Sequence, residues 1–279
     1  MLKIANFKES KFLLLGTGAG LIAIHLNSTW KYADHNLLIL SILFWLAVWY
    51  LLAEKRDTLS LESGVFSSCL GASLLAWVLL KSALLPNDGP FLRLYPIVSA
   101  LGLALLASGV KGLKQYWQEL SLLGFSALPP ILLSRITYLA PLTAKFVTAL
   151  LWYLGFQVSR SGVSVILPTG SVEVDYGCSG IISILHLLGM AFLVLAMFPT
   201  NWRQKILIPI VAVLSAFLVN GVRIAILALI VASSHQEAFE YWHLGNGSMI
   251  FSVISAMIFG LCCHFLLRDE PESPDSAEV

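Results

Sequence analysis

The feature that most constrains this chain is a succession of long apolar runs joined by short polar connections. They cover 12–27, 37–53, 65–85, 95–110, 120–134, 181–198, 206–232 and 249–267. A helix needs roughly 17 to 25 mostly apolar residues to cross the hydrocarbon core of a bilayer. The runs therefore predict an all-α fold, a polytopic integral membrane bundle of about eight transmembrane helices. Composition agrees: 58% of the 279 residues are hydrophobic and 12% are charged, against about 25% charged in ordinary soluble domains. One soluble core cannot hide so much apolar surface, whereas lipid solvates it directly. Lys3, Lys8 and Lys11 precede the first run as they would in a signal peptide. No small-residue cleavage site closes that run and many more follow, so it reads as the first membrane helix. A net charge of +1 gives no reason to expect nucleic acid as a partner.

Cytoplasmic loops carry an excess of Lys and Arg. With the N-terminus inside, the inner segments hold Lys3, Lys8, Lys11, Lys55, Arg56, Lys111, Lys114, Arg203, Lys205 and Arg268. The outer side holds Lys31, Arg93, Arg135, Lys145 and Arg160. Both termini are expected in the cytoplasm, in a cytoplasmic (inner) membrane. Residues 1–267 read as one multi-pass domain. Residues 268–279 form an acidic, Pro/Ser-rich tail with the composition of disorder.

On this topology the outer side receives one long segment, 135–180. Residues 141–156 are apolar and aromatic and predict a helix lying in the interface or partly re-entrant. The stretch from Val163 to Asp175 alternates around Pro168-Thr169-Gly170 and predicts a small extracytoplasmic β-hairpin before the sixth span. It leads into Tyr176-Gly-Cys-Ser-Gly180.

Three residues fall on this same side at similar depth. Cys178 stands at the mouth of the sixth span between glycines. A helix N-terminus there would lower the thiol pKa. Arg223 lies in the outer half of the seventh span, where a charge is costly unless it faces a polar interior. Asn220 shares its helix face. His243 sits in the last outer loop. A thiol, an imidazole and a guanidinium are the parts of cysteine acyl transfer: nucleophile, proton relay and oxyanion stabiliser. Neither metal nor cofactor is required. Ser179 could offer a backbone N–H to the oxyanion. Glu173 and Asp175 could orient His243 or bind substrate, and His186, about two turns down the helix, could be a supporting partner or simply pack. His25 and His35 flank the first outer loop and read as interfacial. Cys262 and Cys263 read as small apolar packing groups.

The blocks Tyr176-Gly-Cys-Ser-Gly-Ile181, Asn220-Gly-Val-Arg-Ile224 and His243-Leu-Gly-Asn-Gly-Ser248 resemble the exosortase/archaeosortase family, and are most similar to its cyanobacterial branch. The resemblance is most specific over about 140–267. It implies a multi-pass membrane enzyme acting on exported proteins with a C-terminal PEP-CTERM signal, which comprises a Pro-Glu-Pro motif, a membrane helix and a basic end. It further implies cleavage near that motif through a thioester and transfer to an acceptor that the sequence does not name. Cys178 would be the nucleophile, Arg223 the transition-state stabiliser and His243 the general acid/base. Competing readings are a transporter or channel component built around Arg223, a thiol oxidoreductase, and a non-catalytic membrane scaffold. The oxidoreductase lacks a second cysteine on the expected side.

Overall fold

A computed structural model describes residues 7–33, 35–85, 89–128, 139–243, 245 and 247–268. The expected tail lies outside the described residues from 269 onward. The chain gathers into two compact units, Met1–Pro129 and Pro130–Val279.

The first unit is helical: α1 (Phe7–Tyr32), α2 (His35–Glu54), α3 (Val65–Leu84), α4 (Gly89–Gly112), a 3-10 turn (Leu113–Tyr116) and α5 (Trp117–Ser126). Helices in lipid gain little from hydrophobic burial against one another, so close backbone approach at small residues matters. α3 and α4 meet in this way. A Cβ on Gly71 would stand 2.6 Å from the Gly102 carbonyl oxygen, and one on Gly102 would stand 2.7 Å from Leu75. α4 breaks at Gly109, whose backbone is left-handed (φ 65°). Polar contacts hold the break in place. Ser108 donates to the Ser60 carbonyl at 2.6 Å and meets the Tyr116 hydroxyl at 2.8 Å, and Lys55 pairs with the buried Glu119 at 2.8 Å.

His25 is not interfacial. It is 1% exposed, its Nδ1 accepts the Trp45 indole N–H at 3.1 Å, and its Nε2 lies 3.0 Å from the Leu92 carbonyl. With Tyr95 stacked at 5.2 Å, the imidazole finds inside the unit the partners that water would otherwise supply.

Among the described residues, six segments are long and apolar enough to cross a membrane: Lys11–Tyr32, His35–Glu54, Val65–Leu84, Gly89–Ser126, Trp202–Ala232 and Gly247–Arg268. Ile181–Met197 is a shorter apolar helix. The polytopic helical fold is thus as expected. The expected span 95–110 lies within α4, and the expected span 120–134 begins within α5, which the 3-10 turn separates from α4 inside the apolar stretch Gly89–Ser126. Residues 129–134 of the latter lie outside the described residues.

The second unit holds α6 (Ala140–Tyr153), strands β1 (Ser159–Ser161), β2 (Ser164–Leu167) and β3 (Gly170–Glu173), then α7 (Ile181–Met197), α8 (Trp202–Ala232), α9 (Gln236–His243) and α10 (Gly247–Arg268). The predicted hairpin is β2–β3, with Val165 opposite Val172 and Leu167 opposite Gly170. A third strand, β1, extends it to an antiparallel meander in the order β1-β2-β3. Gly162 (φ 60°) begins the two-residue turn between β1 and β2, where a left-handed backbone is required.

The meander turns Val165, Leu167, Val172 and Val174 inward. They pack on the inner stripe of α6, Ala140, Ala144, Val147 and Leu151, and on Ile224, Ala225, Leu227 and Ala228 of α8. α6 runs close along α8: a Cβ on Gly221 would meet the Phe146 ring at 2.3 Å, and the Phe146 and Phe217 rings lie 5.4 Å apart in a tilted arrangement. The helix expected over 141–156 is thus packed against α8. α7 and α10 pack on the N-terminal part of α8 through Ile184, Leu187, Ala191, Ile208, Ala212, Phe259 and Cys263. A capping box at Asn201 and Gln204 starts α8, and the Gln204 side chain also donates to the Leu266 carbonyl at 2.9 Å. One end of this bundle is thereby pinned, and the candidate site lies at the other.

Candidate active site

The turn that carries Cys178 joins the meander to α7. Gly180 caps α7 in a left-handed conformation (φ 91°). A side chain there would be strained by the backbone and would also press on Asn220, whose Nδ2 lies 2.9 Å from the position of a Cβ. Glycine lets the chain fold tightly against α8. Three hydrogen bonds then fix the backbone around Cys178. Asp175 Oδ1 accepts the Cys178 N–H at 2.8 Å, Asn220 donates from Nδ2 to the Cys178 carbonyl at 2.9 Å, and Thr143 donates to the Ser179 carbonyl at 2.8 Å. Asn220 and Thr143 are buried, so these bonds form where an unpaired carbonyl would cost about 1–3 kcal/mol.

His243 ends the short helix α9, and its ring lies 4.8 Å from that of Phe239 in a tilted arrangement. Its Nε2 lies 3.2 Å from the Cys178 sulfur. Arg223, one turn along α8 from Asn220, donates from Nη2 to the His243 carbonyl at 2.7 Å. Its Nε is buried and has no hydrogen-bond partner among the described residues. The three residues singled out from sequence, Cys178, Arg223 and His243, are thus brought together, with Asn220 and Asp175 beside them. Glu173 is not: alternation in β3 turns it to the exposed face, opposite Val172 and Val174. His186 is half-buried on α7. The Ser179 N–H is directed to the Tyr176 carbonyl at 3.4 Å within the turn. Thr143 was missed by the sequence reading. Nothing local marks a threonine on an amphipathic helix as the partner of a carbonyl 36 residues away.

The electrostatics differ from expectation in one respect. Burial pushes the Cys178 thiol up to about 11, Asp175 adds to the rise, and Arg223 opposes it. α7 begins three residues after Cys178, and the Cys178 N–H faces the Asp175 carboxylate. His243 is held below its ordinary value of 6.5, by burial first and Arg223 second, with Asp175 opposing. Both shifts favour a neutral thiol beside a neutral imidazole. Such a pair can transfer its proton as the sulfur attacks, and the adjacent guanidinium stabilises the negative charge that develops. All four cysteines are free. Cys263 packs with Ile208 and Ala212 in a cluster separate from that of Cys178. No group of three or more metal-ligating side chains occurs among the described residues.

The model of the transmembrane exosortase family (Exosortase_EpsH) matches residues 30–260. The chain belongs to the transmembrane exosortase family. The matched range covers most of each unit and every residue of the Cys178 constellation. No curated protein and no solved structure matches the chain. The membrane-crossing helices are those of a multi-pass exosortase-family protein.

Proposed function

We propose that this exosortase-family protein is a membrane-embedded cysteine protease-transpeptidase that removes the C-terminal PEP-CTERM-type signal of exported proteins and passes them to an acceptor. The observation that carries the reading is the Cys178 sulfur at 3.2 Å from His243 Nε2, with Arg223 bonded to the same histidine. In the first half-reaction the thiol proton passes to His243 Nε2 as the sulfur attacks the scissile carbonyl. Arg223 stabilises the resulting oxyanion. Collapse of the tetrahedral intermediate breaks the C–N bond, and His243 returns its proton to the departing amine, leaving a thioester on Cys178. In the second half-reaction an acceptor nucleophile, or water, attacks the thioester, gives its proton to His243 and releases the thiol.

Depth favours this chemistry at a membrane surface. α8 has 31 residues, about 46 Å at 1.5 Å per residue, against a hydrocarbon core of about 30 Å. Arg223 lies about 32 Å along the axis from Trp202, and α7, which begins just after Cys178, extends for about 26 Å. The site thus sits roughly one bilayer thickness from the end that carries Arg203, Lys205 and Arg268. The positive-inside rule assigns that basic end, with the C-terminal end of α10, to the cytoplasm, and the site to the extracytoplasmic face. A substrate tail that is itself a membrane helix would bring its scissile bond to this level by lateral approach, in contact with membrane lipid.

The test is co-expression with a tagged reporter that carries a PEP-CTERM tail, comparing wild type with Cys178→Ala at equal membrane abundance. Loss of tail removal in the variant supports thiol-dependent processing. Undiminished removal would assign the constellation to transport or scaffolding instead.

A further inference from the structure

Cysteine acyl-transfer sites commonly use backbone N–H groups at the nucleophile to hold the oxyanion. Here the Cys178 N–H is already engaged by Asp175 Oδ1 at 2.8 Å, and the Ser179 N–H points back to Tyr176. The buried donor left without a partner beside the dyad is Arg223 Nε. We propose that Asp175 is a positioning residue for the nucleophile: by holding the Cys178 N–H it fixes the thiol toward His243 and leaves oxyanion binding to Arg223. The inference rests on Cys178 being the nucleophile.

The carboxylate is suited to this task. It reaches the peptide N–H from three residues upstream and closes the turn on one side, while Asn220 holds the Cys178 carbonyl on the other. The side chain is free of the sheet core, because Val172 and Val174 fill that role and Asp175 itself is exposed. The charged and titratable groups facing the thiol are Asp175 from its own turn, Arg223 from α8 and His243 from α9. α6 presents the neutral Thr143, and the sheet presents apolar Val172 and Val174. The negative charge of Asp175 opposes ionisation of the thiol, consistent with its upward contribution there. A carboxylate at this position therefore does two things: it orients the sulfur, and it keeps the thiol protonated until a substrate carbonyl accepts its electrons.

Two substitutions separate these effects. Asp175→Asn keeps an oxygen acceptor and removes the charge, whereas Asp175→Ala removes both. Each is compared with wild type and Cys178→Ala in native membranes. Tail removal from the reporter is one readout. The other is the pH profile of Cys178 alkylation by iodoacetamide, followed by peptide mass so that Cys69 and Cys262 are read separately. Asp175→Ala is expected to slow tail removal at least tenfold, through turnover rather than KM. Asp175→Asn is expected to retain most turnover and to shift the alkylation profile toward lower pH. Wild-type turnover in Asp175→Ala, or an unshifted profile in Asp175→Asn, overturns the proposal. If Cys178→Ala still processes the reporter, the cysteine reading fails instead, and the alkylation profile continues to report whether Asp175 governs the thiol.

Discussion

At the scale of single residues, the proposed chemistry turns on a Cys-His pair with one permanent cation beside it. His243 must be unprotonated to act as a base, and its affinity for protons lies below the ordinary 6.5. The acid limb of kcat/KM is therefore expected below pH 6.5. Replacing Arg223 with Gln removes a charge that lowers both groups. The acid limb should move upward and thiol alkylation should require higher pH, with a rate loss of about 10²–10³ for the lost oxyanion donor. A pH–rate series on the two proteins measures both shifts, and an acid limb unmoved by the substitution would separate Arg223 from the dyad. Arg223→Lys is not expected to rescue the rate. An ammonium has no second donor in fixed geometry to serve the His243 carbonyl while Nε serves the oxyanion.

At the scale of elements, the site depends on how a sharp turn is seated against α8. Gly180→Ala forces a side chain into a left-handed backbone and toward Asn220, at a cost of about 1–2 kcal/mol from the backbone alone. Thr143→Val leaves the Ser179 carbonyl without its donor, at about 1–3 kcal/mol. Thermal unfolding in detergent should fall in both variants. A Gly180→Ala protein as stable as wild type would mean that the turn is not held as described.

The sequence revealed some of these elements and hid others, for physical reasons. Apolar runs made the spans legible because lipid demands them. The β2–β3 pair was legible because Val165, Leu167, Val172 and Val174 alternate around a Pro/Gly turn. β1 was not, since Ser159-Arg160-Ser161 is polar and exposed throughout, and its pairing is made by backbone alone. The break at Gly109 was hidden because a glycine's backbone state is chosen by tertiary contacts, here the Ser108 bonds to Ser60 and Tyr116. His25 misled because a histidine near the end of an apolar run looks interfacial until its partners on other helices are known. Cys178, Arg223 and His243 could be grouped from topology and motif. The hydrogen bonds of Asn220 and Thr143 to the turn could not, since each depends on the three-dimensional path of the chain, and the local bond from the Cys178 N–H to Asp175 needed the conformation of the turn.

At the scale of the whole molecule, the account requires the two ends of α8 to face opposite compartments. Single cysteines introduced at Arg160, in the exposed meander, and at Arg203, at the basic end, should respond differently to a membrane-impermeant maleimide. Arg160→Cys is expected to label on cells with a permeable outer layer and an intact inner membrane. Arg203→Cys is expected to label only after lysis. The reverse pattern would invert the topology and place the dyad in the cytoplasm.

The central claim is that Cys178 carries the substrate as a thioester, and it is tested most directly by capturing that adduct. Membranes holding the protein and a tagged PEP-CTERM reporter would be quenched in acid, and the peptide containing Cys178 examined by mass for the reporter's new C-terminus. The account predicts a hydroxylamine-labile adduct on Cys178 that is absent from Cys178→Ala and strongly reduced in His243→Ala, which lacks the base and acid needed to form it. Tail removal that proceeds in Cys178→Ala would contradict it.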